Sequence, residues 1–140
     1  MQLFIACDHA AFEAKEALKA ALAASHQVTD LGTHSLESVH YPEYAFKLSE
    51  AVLSHPGSIG ILLCGSGIGV SIGANRFKGI RAALCRDVDD AKMSRSHNNA
   101  NVLCLGARRN SLSELQAMVT TFLSTPFEGG RHALRVQMMD

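Results

Sequence analysis

An apolar run that leads directly into a glycine-rich turn constrains this chain more than any other feature. Residues 59–63 carry no polar side chain, and a strand without polar alternation is typical of a parallel sheet covered on both faces. Glycines then recur at positions 65, 67 and 69, where a backbone without Cβ atoms lets a ligand approach closely. A helix after this turn would direct free N–H groups at an anion. Cys64 lies between strand and turn, where a thiolate would be stabilised.

Strand-like and helix-like segments alternate along the whole chain. Short apolar runs typical of strands occur at residues 2–7, 27–31, 59–64, 80–85 and 102–105. Segments with helical periodicity follow them at residues 10–25, 42–54, 67–76, 87–96 and 111–124. This alternation predicts right-handed βαβ units. We therefore predict an α/β fold: a three-layer αβα sandwich with a Rossmann-like, doubly wound, five-stranded parallel sheet and a C-terminal helical tail.

Length, charge and cysteine spacing limit the function classes. The 140 residues predict a single domain, residues 1–140. Thirteen basic and thirteen acidic residues balance, so no net charge attracts nucleic acid or acidic membranes. No stretch approaches the ~18 apolar residues of a membrane span. The four cysteines are widely spaced, which excludes the usual zinc motifs and argues against a disulfide framework. We expect a protein of the reducing cytoplasm that binds neither nucleic acid nor membrane.

Polar residues follow several of the predicted strands. Ligands of a doubly wound sheet bind outside the carboxyl ends of its strands. The polar residues at those ends are Asp8 and His9, Cys64 to Ser66, Arg86 and Asp87, and Arg108 and Arg109. The predicted topology would bring them to one edge of the sheet.

The glycine turn has a competing interpretation as a dinucleotide site. Gly65 and Gly67 fit the first two glycines of that fingerprint, and Asp87 lies at a suitable distance for the acidic residue. However, Val70 occupies the position of the third glycine, and the turn follows the third strand rather than the first. The P-loop is excluded, because no Gly-Lys-Ser/Thr sequence occurs.

Two further polar stretches lie elsewhere in the chain. Residues 97–101 combine a histidine with three asparagines, and either an exposed turn or a binding segment explains them. Arg131 and Arg135 are four residues apart and would share one face of a helix. Two guanidinium groups on one face suit a phosphate, although a solvated basic tail explains them too.

Five motifs in order and at characteristic intervals resemble those of one family. They are Cys7–Ala10, Cys64–Gly69, Ser71–Asn75, His97–Leu103 and Glu128–Val136. Together they resemble the type B ribose-5-phosphate isomerase family, which also contains galactose-6-phosphate and allose-6-phosphate isomerases. The resemblance covers essentially the whole chain.

This resemblance implies an aldose–ketose isomerase that interconverts D-ribose 5-phosphate and D-ribulose 5-phosphate in the non-oxidative pentose phosphate pathway. It implies no cofactor and no metal. The partners it implies are the small-molecule sugar phosphate and further copies of the chain, in a homodimer or homotetramer whose active sites are shared between subunits.

The resemblance also assigns roles to residues. Cys64 matches the catalytic base, His97 the residue that assists ring opening, and Ser66 a residue beside the reacting carbons. The positions that match substrate contacts are Asp8, His9, Gly65, Ser66, Gly67, Ile68, Gly69, Asn98, Arg108, Arg131 and Arg135. Tyr41 also falls where the family often has a tyrosine near the sugar. Some members instead use a glutamate of the following helix as base, where this chain has Val70 and Ser71.

The chemistry adds an expectation and leaves alternatives. A thiol serves as a base only as the thiolate, which burial opposes, so we expect a partly exposed Cys64 and buried Cys85 and Cys104. The backbone N–H groups of the turn would form an oxyanion hole for the enediolate. A six-carbon sugar phosphate as the substrate, or a non-catalytic phosphosugar- or nucleotide-binding module, remain alternatives.

Overall fold

A computed structural model describes all residues, 1–140. The strands are β1 (Gln2–Cys7), β2 (Gln27–Asp30), β3 (Ile59–Cys64), β4 (Ala82–Leu84) and β5 (Val102–Gly106). The helices are α1 (Phe12–Leu22), α2 (Tyr41–Ser54), α3 (Ile68–Ala74), α4 (Val88–Ser96), α5 (Leu112–Ser124) and α6 (Arg131–Met139). The predicted α/β fold with a five-stranded sheet and a helical tail is confirmed. None of the helices is both long and apolar enough to cross a membrane.

All five strands are parallel, in the order β2-β1-β3-β5-β4. The chain leaves β1 toward one side of the sheet and leaves β3 toward the other. The loops that follow these two neighbouring strands therefore diverge, and a crevice opens between them at the carboxyl ends of the strands. We call the end of the sheet at which the strands terminate the carboxyl edge. The opposite end, at which the strands begin, is the amino edge.

The core has two layers because β3 is apolar on both faces. Ile61 and Leu63 pack in one cluster with α1, α4 and α5, while Leu62 and Cys64 pack in the other with α2 and α3. All six residues of β3 are buried. Each fully buried aliphatic side chain contributes about 1.5–3 kcal/mol, so the strand that leads into the glycine turn is firmly anchored.

Local sequence patterns predict some boundaries of the helices and strands correctly and others incorrectly. The predicted start of the fifth helix at residue 111 is confirmed, because Ser111 and Glu114 form a capping box there. The fourth strand is shorter than predicted, because side chains bond the backbone where it was expected to begin. Asn101 Oδ1 accepts from the Arg81 N–H at 2.8 Å, and Asn75 Oδ1 accepts from the Ala82 N–H at 2.9 Å.

Candidate active site

A cleft of about 700 Å³ opens at the carboxyl edge of the sheet. Its wall includes most of the residues singled out from the sequence: Asp8, His9, Cys64, Gly65, Ser66, Ile68, Gly69 and Arg108. Tyr41, at the start of α2, lies on the wall as well. The residues after β1, after β3 and after β5 thus meet at the crevice that the strand order creates.

Cys64 is the last residue of β3, and the turn folds back over its sulfur. The Gly67 N–H donates a hydrogen bond to Cys64 Sγ at 3.1 Å. The expectation of a partly exposed Cys64 is wrong, since the residue is only 5% exposed. It is nevertheless the most exposed of the four cysteines, and it is the only one on the cleft wall. Cys64 is buried because the turn that supplies the hydrogen-bond donor, the Gly67 N–H, also covers the sulfur.

The other three cysteines do not reach the cleft. Cys85 and Cys104 are buried, as predicted, and so is Cys7. Burial raises the pKa of Cys85 to about 11 and that of Cys7 to about 12. Burial likewise raises the pKa of Cys104 well above its usual value. These thiols stay protonated at neutral pH, which leaves Cys64 as the cysteine with access to a ligand.

Three further N–H groups near Cys64 in the chain have no partner. The N–H groups of Gly65, Ser66 and Gly69 donate to no atom of the chain. Gly67 has a positive φ of 77°, and a Cβ atom there would lie 2.8 Å from the carbonyl carbon of Leu105. Only glycine therefore permits the path of the backbone through this turn.

Arg86, which follows β4, supports the turn from across β5. Its Nη1 donates to the Ser66 carbonyl oxygen at 2.6 Å. From the sequence, Arg86 is predicted to lie at a strand end but has no assigned role. Arg86 and Ser66 are 20 residues apart in the chain, and such a spacing does not indicate a contact. Arg86 fixes the orientation of the Ser66 peptide.

The residues after β1 contribute one acid and one imidazole. The Asp8 carboxylate accepts a hydrogen bond from the Ala10 N–H at 3.1 Å, and the residue is 7% exposed. His9 Nδ1 accepts from the Val39 N–H at 3.1 Å. Its Nδ1 therefore carries no proton in this arrangement, and Nε2–H is the remaining donor.

Two arginines after β5 lie on the cleft wall. The Arg108 N–H donates to the Gly65 carbonyl at 3.0 Å, which ties it to the turn. Arg109 is the next residue, and neither arginine forms an ion pair within the chain. This part of the cleft offers positive charge to an anionic ligand.

The remaining predicted site residues lie at the amino edge. His97 caps the C-terminal end of α4, which starts beside the carboxyl end of β4 and runs back. Asn98 lines a separate cavity of about 440 Å³ beside Arg81 and Ala82. A helix of nine residues is about 13 Å long, so His97 and Asn98 are too far from the cleft to contact one ligand with Cys64 in the same chain.

Arg131 and Arg135 lie on α6, near the end of α4. The Glu128 N–H bonds the Ser96 carbonyl at 3.0 Å, which brings the start of α6 next to His97. Both arginines are exposed, and the tail is helical as predicted. They share one stripe with Leu134 and Met138, which are 66% and 81% exposed.

No role was predicted for His132 from the sequence. Its ring stacks on that of His97 with centroids 4.4 Å apart and an interplanar angle of 11°. The residue is 8% exposed. Burial lowers the pKa of His132, and the neighbouring His97 and Arg131 lower it further. The one available signal was its spacing of four residues from Glu128.

Comparisons with known proteins point to one family. The family model described as "Ribose/Galactose Isomerase" matches residues 3–139. The Escherichia coli ribose-5-phosphate isomerase B is 42% identical over 132 residues, which cover 94% of this chain and 89% of that protein.

Solved structures give the same result. The structure of a ribose 5-phosphate isomerase from Thermotoga maritima has a TM-score of 0.96 at 52% identity, covering 99% of this chain and 97% of that one. The Mycoplasma genitalium ribose-5-phosphate isomerase B, solved with bound ribulose-5-phosphate, has a TM-score of 0.94 at 38% identity, covering 98% and 92%.

Proposed function

This chain belongs to the ribose/galactose isomerase family and is an aldose–ketose isomerase, and from that premise we propose that it interconverts D-ribose 5-phosphate and D-ribulose 5-phosphate. The observation that carries the proposal is the cleft at the carboxyl edge, where the sulfur of Cys64 lies beside a turn with free N–H groups. We propose that residues 1–140 act as one isomerase domain. A cytoplasmic location suits it, because a catalytic thiol must stay reduced.

Cys64 is the proposed base. The thiolate removes the proton from C2 of the open-chain aldose, and the electrons move through the C1–C2 bond onto the oxygen at C1. The resulting enediolate takes the proton back at C1, while the hydroxyl proton at C2 transfers to the oxygen at C1. The hydrogen bond from Gly67 N–H to Sγ supports the thiolate during this cycle.

The turn is the proposed oxyanion hole. The N–H groups of Gly65, Ser66 and Gly69 have no partner within the chain, so the enediolate oxygen can accept from them. Losing one such donor typically costs roughly 3–4 kcal/mol of transition-state stabilisation. The Ser66 hydroxyl, Asp8, His9 and Ile68 complete the surface around the reacting carbons.

Ring opening and phosphate binding require groups from a second copy of the chain. His97, Asn98, Arg131 and Arg135 lie at the amino edge, remote from Cys64. We propose that the amino edge of one subunit faces the cleft of its partner. His97 then assists opening of the furanose ring, and Arg131 and Arg135 bind the phosphate together with Arg108.

Exposed apolar side chains support this assembly. On α6, Leu134 and Met138 alternate with the two arginines along one stripe. Beside the cleft, Ile72 is 61% exposed and Ile68 is 43% exposed. Contact between these surfaces would bury the apolar side chains and direct the arginines into the cleft.

The proposal is tested by rates of isomerisation on ribose 5-phosphate, allose 6-phosphate and galactose 6-phosphate, each with and without chelator. We expect ribose 5-phosphate to give the highest kcat/KM, unchanged by the chelator. A preference for a six-carbon substrate, or no turnover of any of the three, would contradict it.

A further inference from the structure

Three potential metal ligands meet at the amino edge of the sheet. His97, Glu128 and His132 each place one ligand atom within 4.8 Å of the others. The two imidazole rings are stacked and nearly parallel, so the lone pairs of their nitrogens lie in parallel planes and one ring must rotate for both to face one ion. Nothing in the proposed reaction uses Glu128 or His132.

The Nε2 atom of His132 supplies an independent indication. It is shielded from solvent and has no hydrogen-bond partner, which is a costly state for a polar nitrogen. The Glu128 carboxylate lies close to it, with Oε2 at 3.5 Å. Two ligand atoms of a tetrahedral zinc ion lie roughly 3.3 Å apart, since each is about 2.0–2.1 Å from the metal. Glu128 and His132 are therefore already spaced to share one cation.

The fold holds these ligands without help from a cation. His97 is the C-cap residue of α4, and the Glu128 N–H bonds the Ser96 carbonyl one residue before it. His132 lies four residues beyond Glu128, on the first turn of α6. Glu128 is 57% exposed in its side chain, so it can rotate to complete a site at little cost.

We propose that His97, Glu128 and His132 bind one divalent transition-metal ion of the zinc type, and that this ion inhibits the enzyme. Two imidazoles and one carboxylate suit Zn²⁺ better than Mg²⁺ or Ca²⁺, which prefer oxygen ligands. The inhibition rests on the proposed function. A bound ion occupies the imidazole nitrogen of His97 that ring opening needs.

Metal binding by the chelator-stripped protein tests the site directly. Zn²⁺ is titrated by calorimetry, and Co²⁺ serves as an optical probe of the ligands. We expect one ion per chain and no sulfur-to-cobalt charge-transfer band. Glu128→Gln and His132→Ala should each weaken binding by roughly tenfold or more. Glu128→Gln alters an exposed side chain, so its result stands even if His132→Ala fails to fold.

Two control variants separate this site from others. His55→Ala removes an exposed histidine at the end of α2, and Cys64→Ser removes the thiol of the cleft. Both should retain the ion with unchanged affinity. No ion bound, undiminished affinity in either ligand variant, or loss of the ion in Cys64→Ser overturns the site.

Activity measurements test the inhibition separately. Zn²⁺ at saturating concentration should suppress turnover of the wild-type enzyme, and a chelator should restore it. Glu128→Gln should keep its turnover without metal and lose most of its sensitivity to Zn²⁺. Full turnover of the zinc-loaded wild type would overturn the inhibition. The binding data and the metal-free rate on ribose 5-phosphate report independently on the site and on the proposed function.

Discussion

The backbone N–H of Gly67 donates to the sulfur of Cys64 at 3.1 Å. The third residue after β3 thus donates a hydrogen bond to the last residue of that strand. The same turn leaves the N–H groups of Gly65, Ser66 and Gly69 free for a ligand. Base and oxyanion hole therefore depend on one backbone path.

Replacing Cys64 with alanine should abolish turnover without unfolding the protein. A general base contributes roughly 10²–10⁴-fold to the rate, so kcat should fall by at least that range. Because Cys64 is small and borders the cleft, the melting temperature should change little. Cys85→Ala is the matched control, since Cys85 is buried away from the cleft. Near-normal turnover of Cys64→Ala would exclude the thiol as the base.

Gly67→Ala should lower both stability and activity. Gly67 has positive φ, and the added Cβ would lie 2.7 Å from Leu84 Cδ1. We expect a loss of about 1–3 kcal/mol in the free energy of unfolding beyond the strain of the backbone itself. Gly57→Ala is the control, because Gly57 has φ of 87° but no atom within 4 Å of its Cβ position. Equal losses in the two variants, measured by urea denaturation, would show that the close contact is unimportant.

Arg86→Lys should lower kcat more than it raises KM. Arg86 contacts the Ser66 carbonyl and does not line the cleft, so it positions the turn rather than the substrate. Lysine cannot reproduce the planar donor geometry of the guanidinium group, and we expect kcat to fall by about tenfold. Arg76→Lys, at an exposed arginine after α3, should leave both constants unchanged. A rise in KM alone would assign Arg86 to substrate binding instead.

Mixing two inactive variants should restore activity if each site uses two subunits. In a heterodimer of Cys64→Ala and Arg135→Ala chains, one cleft has an intact Cys64 and faces an intact Arg135. Random pairing makes half of the dimers mixed, with one working site of two, so about a quarter of wild-type activity should return. Each variant alone, unfolded and refolded by the same protocol, is the control. No recovery in a mixture shown to contain heterodimers would place both residues in one subunit's site.

Acid should destabilise the fold through Asp30. Burial alone would raise the pKa of Asp30, but hydrogen bonds from Lys15 and Lys19 outweigh it and lower the pKa from 3.8 to about 2. A lowered carboxyl pKa stabilises the fold above the unfolded value, and this contribution is lost as pH falls from about 4 to about 2. The free energy of unfolding should therefore decrease across that window.

A double variant isolates this effect. Lys15 is fully buried and contacts both oxygens of Asp30 at 2.6 Å. Removing only one of the two would leave the other with a secondary partner, Lys19 for Asp30 or Glu16 for Lys15, and breaking a buried pair in this way costs up to about 3–5 kcal/mol. Lys15→Met with Asp30→Asn removes both charges, and its unfolding free energy should depend less on pH between 4 and 2. An unchanged dependence would assign the acid sensitivity to other carboxyl groups.

The sequence was sufficient to predict the strand, the cysteine and the glycine turn because all three lie within one continuous segment. It did not reveal that Arg86 holds Ser66 or that His132 stacks on His97, since these contacts join segments that are distant in sequence. The separation of His97 from Cys64 could have been predicted from the sequence. His97 precedes a strand, whereas Cys64 ends one, and in a parallel sheet those positions belong to opposite edges.

The side chain of Asn75 has a consequence for aggregation. Its amide accepts from the Ala82 N–H and donates to the Ala82 carbonyl, both at 2.9 Å, as the backbone of an adjoining strand would. β4 is the outermost strand on that side of the sheet, and an outermost strand with unpaired backbone groups is a template for pairing with other chains. One asparagine occupies the outward-facing backbone groups of Ala82 and so shortens the stretch of β4 that is open to pairing with a neighbouring molecule.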